Sequence, residues 1–320
     1  MSSTKSIKQR IKSVKNTSQI TKAMEVVSAT KMRRSQQFAI AARPFAVASL
    51  ELMQNLLRRT PQLPPLLKTR AVKIKALLVV TSDKGLAGAF NANVLRKADA
   101  WIADARATGT VFSVITVGKK AKEYYERTNA AVAQSFWKFG DYTDLSETLP
   151  IADLILEGFR NKQWDSVEAV YTHFRTTLFQ ETSLKRILPA SEDSITEAVR
   201  AILPEHGRYA FQARTDADST RTNANNISRK SAYVYEYAFE PSSTQILEAL
   251  VPQLIKMHIH HIILESNASE HSARMVAMKS ASDNARELID DLTLEFNKAR
   301  QANITRELVE ITAGTEALEH

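Results

Sequence analysis

The chain has 320 residues, room for one large or two ordinary domains, with the 44% hydrophobic and 24% charged residues of a globular protein. Its 43 Lys and Arg outnumber 35 Asp and Glu, and it has no cysteine, which excludes disulfides, thiolate metal sites and a cysteine nucleophile. No apolar run approaches the roughly 18 residues of a membrane span, and the opening MSSTKSIKQRIKS is basic without the apolar block of a secretory signal.

Residues 4–58 carry Ile7, Ile11, Val14, Ile20, Met24, Val27, Phe38, Phe45, Leu52 and Leu56, mostly at helical spacing. The spacing predicts a long N-terminal helix over 1–58, with Pro44 as a bend or local break. Residues 1–43 hold ten basic side chains against the single acid Glu25, a local charge of +9, while the whole chain is only +8. Such a surface calls for an acidic partner: nucleic acid, an anionic membrane or an acidic protein wall. Basic residues three to five apart suit a helix lying along phosphates. Against this, residues 1–37 have no base-stacking aromatic, and the chain has no helix-turn-helix, zinc-finger or RNP signature.

Residues 72–240 read differently. Apolar strands at 75–80, 111–117, 132–137 and 166–174, with an edge strand at 180–188, alternate with helices near 90–107, 119–128 and 147–161. That alternation predicts an open, Rossmann-like α/β domain with parallel strand pairs. The loop 81–91, with Gly85 and Gly88, follows a strand and precedes a helix, the setting of a phosphate loop. It lacks G-x-G-x-x-G and G-K-[ST], and Asp83 would repel a phosphate, so a tight turn is the simpler reading. Residues 190–232 end in a polar, turn-rich stretch that reads as a long loop.

The last segment, 242–320, is dominated by a second long helix. From Met275 the small or apolar positions Met278, Ser282, Ala285, Ile289, Leu292, Phe296 and Ala299 follow in steps of three and four, the heptad rhythm. No Gly or Pro interrupts residues 265–311, and residues 265–320 carry −5. The two terminal helices therefore attract. The fold class expected is α/β: a long antiparallel coiled coil of N- and C-terminal helices with the α/β domain inserted between them. Two amphipathic helices packed separately on a globular core are the alternative. His258, His261 and Glu265 share one helical face and form a candidate metal set, but the H-E-x-x-H pattern is missing and a solvated or interfacial polar face is the plainer reading. No nucleophile elbow or triad spacing is present, so neither catalytic nor cofactor-binding residues are expected.

Four motifs carry a family resemblance: ITKAMEVVSATKM at 20–32, SDKGLAG at 82–88, SARMVAMK at 272–279 with DNA at 283–285, and NKARQANITREL at 297–308. In this order they resemble the gamma subunits of F-type ATP synthases. The resemblance implies a non-catalytic rotor shaft. Its paired helices would stand inside the ring of alpha and beta subunits, and its foot would sit with epsilon on the membrane ring of c subunits. The delta and b subunits would be met only through the complex, nucleic acid not at all, and the complex would lie peripherally on the cytoplasmic face of a bacterial inner membrane. By matching motif, Lys22, Met24 and Lys31 fall where the shaft meets an acidic beta segment. Arg274, Arg300, Gln301, Thr305 and Glu307 fall in the motifs that make or support rotor–stator contacts. Glu236 and Tyr237 fall near the c-ring face. Residues 190–232 lie roughly where photosynthetic members carry an extension that restrains ATP hydrolysis, but without cysteines a thiol switch is not available.

Overall fold

A computed structural model describes residues 4–41, 52, 53, 56, 57, 60, 63–128, 130–140, 143–190, 240 and 242–318. Helix α1 spans Thr4–Ala41. A 3-10 turn, Pro65–Leu67, leads into β1 (Ile74–Val80), α2 (Phe90–Ala107), β2 (Val111–Val117), α3 (Lys119–Arg127), β3 (Val132–Phe136), α4 (Leu145–Arg160), β4 (Ser166–Phe174) and β5 (Gln180–Leu188). Helix α5 then runs from Ser243 to Leu318, 76 residues through an internal Pro252, a rod of about 114 Å at 1.5 Å per residue. The expected positions Pro44, Phe45, Glu236 and Tyr237, and nearly all of 190–232, lie outside the described residues.

The five strands form one sheet in the order β3-β2-β1-β4-β5. The pairs β3–β2, β2–β1 and β1–β4 are parallel, and β5 closes the edge antiparallel to β4. Strand β1 is apolar on both sides because both sheet faces are covered. Leu77, Val79, Val114 and Val170 meet Val94, Ala98 and Trp101 of α2 and Tyr125 of α3. On the other face Ala76, Leu78, Val80, Ile115 and Tyr171 meet α4 through Ile151, Ile155 and Phe159, and α5 through Leu247, Val251, Ile259 and Ile263. Met53 and Leu56 are fully buried in this second core, which ties the chain after α1 to the foot. Helix α4 starts at a capping box in which the Asp144 N–H donates to Glu147 Oε2 at 3.1 Å.

The coiled coil forms, with one correction on α1. On α5 the seam Met278, Ser282, Ala285 and Leu292 is buried, and Ile289, Phe296 and Ala299 are partly buried, as the heptad spacing predicts. On α1 the inward positions are Ile7, Val14, Thr21, Ser28 and Ser35 in steps of seven, with Ile11, Ser18, Glu25 and Met32 between them. Ile20, Val27 and Phe38, expected on this seam, are 60%, 52% and 40% exposed. Ile7, Ile11 and Val14 lie inward as expected, and further along small hydroxyls at Thr21 and Ser28 take the seam in place of the neighbouring Ile20 and Val27. Thr21 donates its hydroxyl to the carbonyl of Thr17 at 3.0 Å. Bonded inside its own helix, it enters the interface without an unmet donor. Small side chains then let the two helices approach closely, which a row of Ile and Val would prevent.

Candidate functional site: the collar and the bare end of the rod

Two places on α5 concentrate the expected functional residues. The first is a collar where α1, the loop after β1 and the middle of α5 enclose a cavity of about 500 Å³. Met24 and Lys31 line it from α1, Asp83, Lys84 and Gly85 from the loop, and Glu270, His271 and Arg274 from α5. Met24 is half-buried there, and Lys22 on the outer surface pairs with Glu25 at 2.9 Å.

The loop owes its shape to its polar side chains. Asp83 accepts backbone N–H groups from Lys119 at 2.7 Å and Lys138 at 2.9 Å, so it binds the starts of two neighbouring connections. Asn91 Oδ1 accepts from the Ser82 N–H at 3.0 Å, and the Ser82 hydroxyl donates to the Lys84 carbonyl at 2.6 Å. Gly118 takes φ +95°, and a Cβ there would collide with the Thr81 carbonyl, so only glycine lets β2 turn into α3 at this point.

Arg274 locks the loop to the rod. Its Nε donates to the Gly85 carbonyl at 3.2 Å and its Nη2 to the Lys84 carbonyl at 3.3 Å and to the Glu270 carboxylate. Burial pushes the Glu270 carboxyl up from its ordinary value, and the Arg274 charge opposes that shift. Of the expected contact residues, Arg274 is thus buried and spent inside its own chain. It can support a partner contact by holding the collar's shape.

A second polar cluster lies one turn below. The Glu265 carboxylate meets His261 Nε2 at 3.0 Å and His173 Nδ1 at 2.9 Å, joining α5 to β4. Burial acts to raise its pKa, but the charge of His261 and the hydrogen bond of His173 outweigh it and hold the carboxyl at about 2. Burial also lowers His258 to about 3 and His260 to about 4. Of the two expected settings for His261 and Glu265, a solvated or an interfacial polar face, the structure has the interfacial one: both are buried, and Glu265 bonds across to β4. The carboxylate spans the two imidazoles, and among the described residues no group of three or more His, Asp or Glu could hold a metal ion.

The second place is the far end of α5. Residues 300–312 are all exposed, including Arg300, Gln301, Thr305 and Glu307. Thr305 donates its hydroxyl to the Gln301 carbonyl at 3.0 Å. Ile304, Leu308 and Ile311 form an uncovered stripe in steps of four and three. From the collar the seam positions run down α1 from Ser28 to Ile7 and up α5 from Met278 to Ala299, an antiparallel arrangement in which α5 continues past the last buried seam position. The structure brings Met24, Lys31 and Arg274 together and keeps Arg300, Gln301, Thr305 and Glu307 far from them. The parts played by Asp83 and Glu270 escaped the sequence reading. An acid four residues before a buried arginine on one helix is the signal that was available for Glu270.

The sequence model of the ATP synthase family (ATP-synt) matches residues 3–318. An ATP synthase gamma chain from Roseiflexus castenholzii is 40% identical over 321 residues, covering 99% of both chains. The chain belongs to the ATP synthase gamma-chain family. A gamma chain from Gloeothece citriformis is 36% identical over 324 residues, with 99% of this chain and all of that one covered. Among solved structures, a chain of the Euglena gracilis mitochondrial ATP synthase (OSCP/F1/c-ring, rotational state 3) superposes with TM-score 0.60 at 18% identity, covering 98% of this chain and 94% of that one. A chain of the Tetrahymena thermophila mitochondrial ATP synthase central stalk and c-ring gives 0.55 at 22% identity, over 82% and 99%. At these identities the superpositions speak for the fold.

Proposed function

We propose that this chain is the rotating central shaft of an ATP synthase, coupling ion flow through a membrane ring of c subunits to ATP synthesis or hydrolysis on beta subunits. It carries no catalytic residue of its own. The observation that supports this reading best is the bare end of α5. A helix that outruns its partner and leaves Ile304, Leu308 and Ile311 in solvent is built to be surrounded by other chains. Its bearing is a ring of alpha and beta subunits, touched by Arg300, Gln301, Thr305 and Glu307. Lower down, the basic face of α1, with Lys22, Met24 and Lys31, meets an acidic segment of beta at the collar. The foot, as a unit of residues 72–240, sits on epsilon and the c-ring, with Glu236 and Tyr237 on that side. No helix among the described residues is long and apolar enough to cross a membrane, in keeping with peripheral attachment at the cytoplasmic face of a bacterial inner membrane.

Rotation in this reading is a sequence of population shifts. Each orientation of an asymmetric shaft contacts one beta conformation better than the others, and only that difference in affinity moves the equilibrium. A cysteine-free chain allows a clean test. Glu307→Cys gives a single thiol on this chain, to be paired with a cysteine placed on beta. Alpha, beta and epsilon should copurify with the tagged chain, and an oxidised cross-link should stop ATP hydrolysis until reductant restores it. Copurification with none of these subunits, or full hydrolysis with the cross-link closed, would overturn the proposal.

A further inference from the structure

The parallel sheet has a switch point. The chain leaves β1 for β2 on one side and returns from β3 to β4 on the other, so order reverses between β1 and β4. Open α/β sheets bind ligands outside the carboxyl ends of their strands at such a place. Here a crevice of about 300 Å³ lies at that position, bounded by Gly88, Ala89 and Phe90 after β1, Thr172 near the end of β4, Gln180 on β5 and Ala277 on α5. It is separate from the collar cavity, and none of the residues around it is acidic or basic.

Two independent features beside it carry hydrogen-bond donors. The first is the start of α2. Its N-cap is Ala89, which offers no side-chain acceptor, and its first turn has no acid. The Phe90 N–H donates to the Ala87 carbonyl at 3.2 Å and the Asn93 N–H to Ala89 at 2.9 Å. Between them stand the N–H groups of Asn91 and Ala92, which a helix leaves without internal acceptors. The second feature is Thr172. It is 4% exposed, and its hydroxyl has no hydrogen-bond partner. It shares strand parity with Val170, which packs on the α2 face, while His173 points to the α5 face. The hydroxyl is thus on the side of the α2 N-terminus. Asp83, the one acid of the loop 81–88, is held by the Lys119 and Lys138 amides and takes no part in the lining.

We propose that this crevice binds the phosphate group of a small molecule. Its oxygens accept hydrogen bonds from the first-turn amides of α2 and from Thr172 Oγ1, with the positive end of the helix dipole favouring the charge. Phe90, Leu178 and Val276 supply an apolar wall for a short organic body. A volume of about 300 Å³ is at the lower end of the range for small-molecule sites. It suits a mononucleotide or something smaller and is too small for a dinucleotide. With no basic side chain in the wall, affinity is expected to be weak.

The test uses the whole chain, titrated with inorganic phosphate and with AMP at constant ionic strength, followed by phosphorus NMR and thermal melting. Both probes should bind, and tighter binding of AMP would assign the apolar wall to the ligand body, whereas equal binding would assign the site to free phosphate. Thr172→Val should melt at the same temperature or higher without phosphate, since it removes an unpartnered hydroxyl, yet bind phosphate roughly tenfold more weakly, the loss of one charge-assisted hydrogen bond. Ala89→Asp places a carboxylate on the same amides. It should raise the melting temperature without phosphate and abolish the response to it. No phosphate-dependent change in the wild-type chain, or a response unaltered in both variants, would overturn the proposal.

Discussion

The middle and the far end of α5 belong to one uninterrupted helix and invert the usual rule of burial. Around 261–274 the helix buries His261, Glu265, Ser269, Glu270 and Arg274, whereas at 304–311 it leaves Ile304, Leu308 and Ile311 in solvent. What a helix passes, rather than its own pattern, decides what it covers. The middle passes between the sheet and α1, where several of its polar groups find partners on another element: Glu265 on His173, Ser269 on the Thr172 carbonyl at 3.1 Å, Arg274 on Gly85. The far end passes no other described element of this chain. The polar interior of the middle specifies how the rod seats on the foot, and the apolar exterior of the far end is what the proposed bearing of other chains would cover.

The largest effect expected from breaking this contrast is at the collar. Arg274→Ala leaves Glu270 buried without its cation and should cost about 3–5 kcal/mol, read by urea denaturation of the purified chain. Adding Glu270→Gln should recover a good part of that loss. An Arg274→Ala chain as stable as wild type would mean that the guanidinium does not clamp the loop. At the seam, Ala285→Asp should cost about 2–4 kcal/mol, since it puts a carboxylate at a buried position between packed helices. Assembly should suffer before catalysis does. An unchanged melting temperature would place Ala285 in solvent.

The pH dependence of the middle is of intermediate size. His258 and His260 have folded pKa values of about 3 and about 4, below the ordinary 6.5. The unfolded chain therefore takes up protons first as pH falls, so stability present above pH 6.5 is lost progressively below it. Glu265, at about 2 against 4.5, adds a further loss between those two values. Melting temperatures between pH 7 and 4.5 should fall steadily, and His260→Gln should flatten the upper part of the fall. A flat wild-type profile would contradict the partly buried, neutral state of these histidines.

The smallest effect on the chain alone is expected at the bare end. Leu308→Ser should change its stability by less than about 0.5 kcal/mol, as surface substitutions do, while lowering ATP-driven activity in the assembled complex. Met24→Lys at the collar mouth sharpens the same distinction. It should leave ATP hydrolysis in place and reduce ion pumping per ATP, measured in vesicles; equal loss of both would count against a coupling role for this position.

Periodicity and composition alone determined the order of elements here. Strands of Val, Leu and Ile bounded by loops, and an α5 heptad from Met278 to Ala299, are local patterns whose spacing survives into the fold. Four motifs carried the family. The middle of the α1 seam was not legible, because Thr21, Ser28 and Ser35 enter it through their small size, Thr21 with its hydroxyl bonded to the preceding turn, and a count of apolar residues points to Ile20 and Val27 instead. The roles of Asp83, Glu265 and Arg274 were likewise decided only in three dimensions. Each is a polar side chain whose partner lies 36, 92 or 189 residues away, and a buried charge is stable only where the tertiary fold delivers that partner.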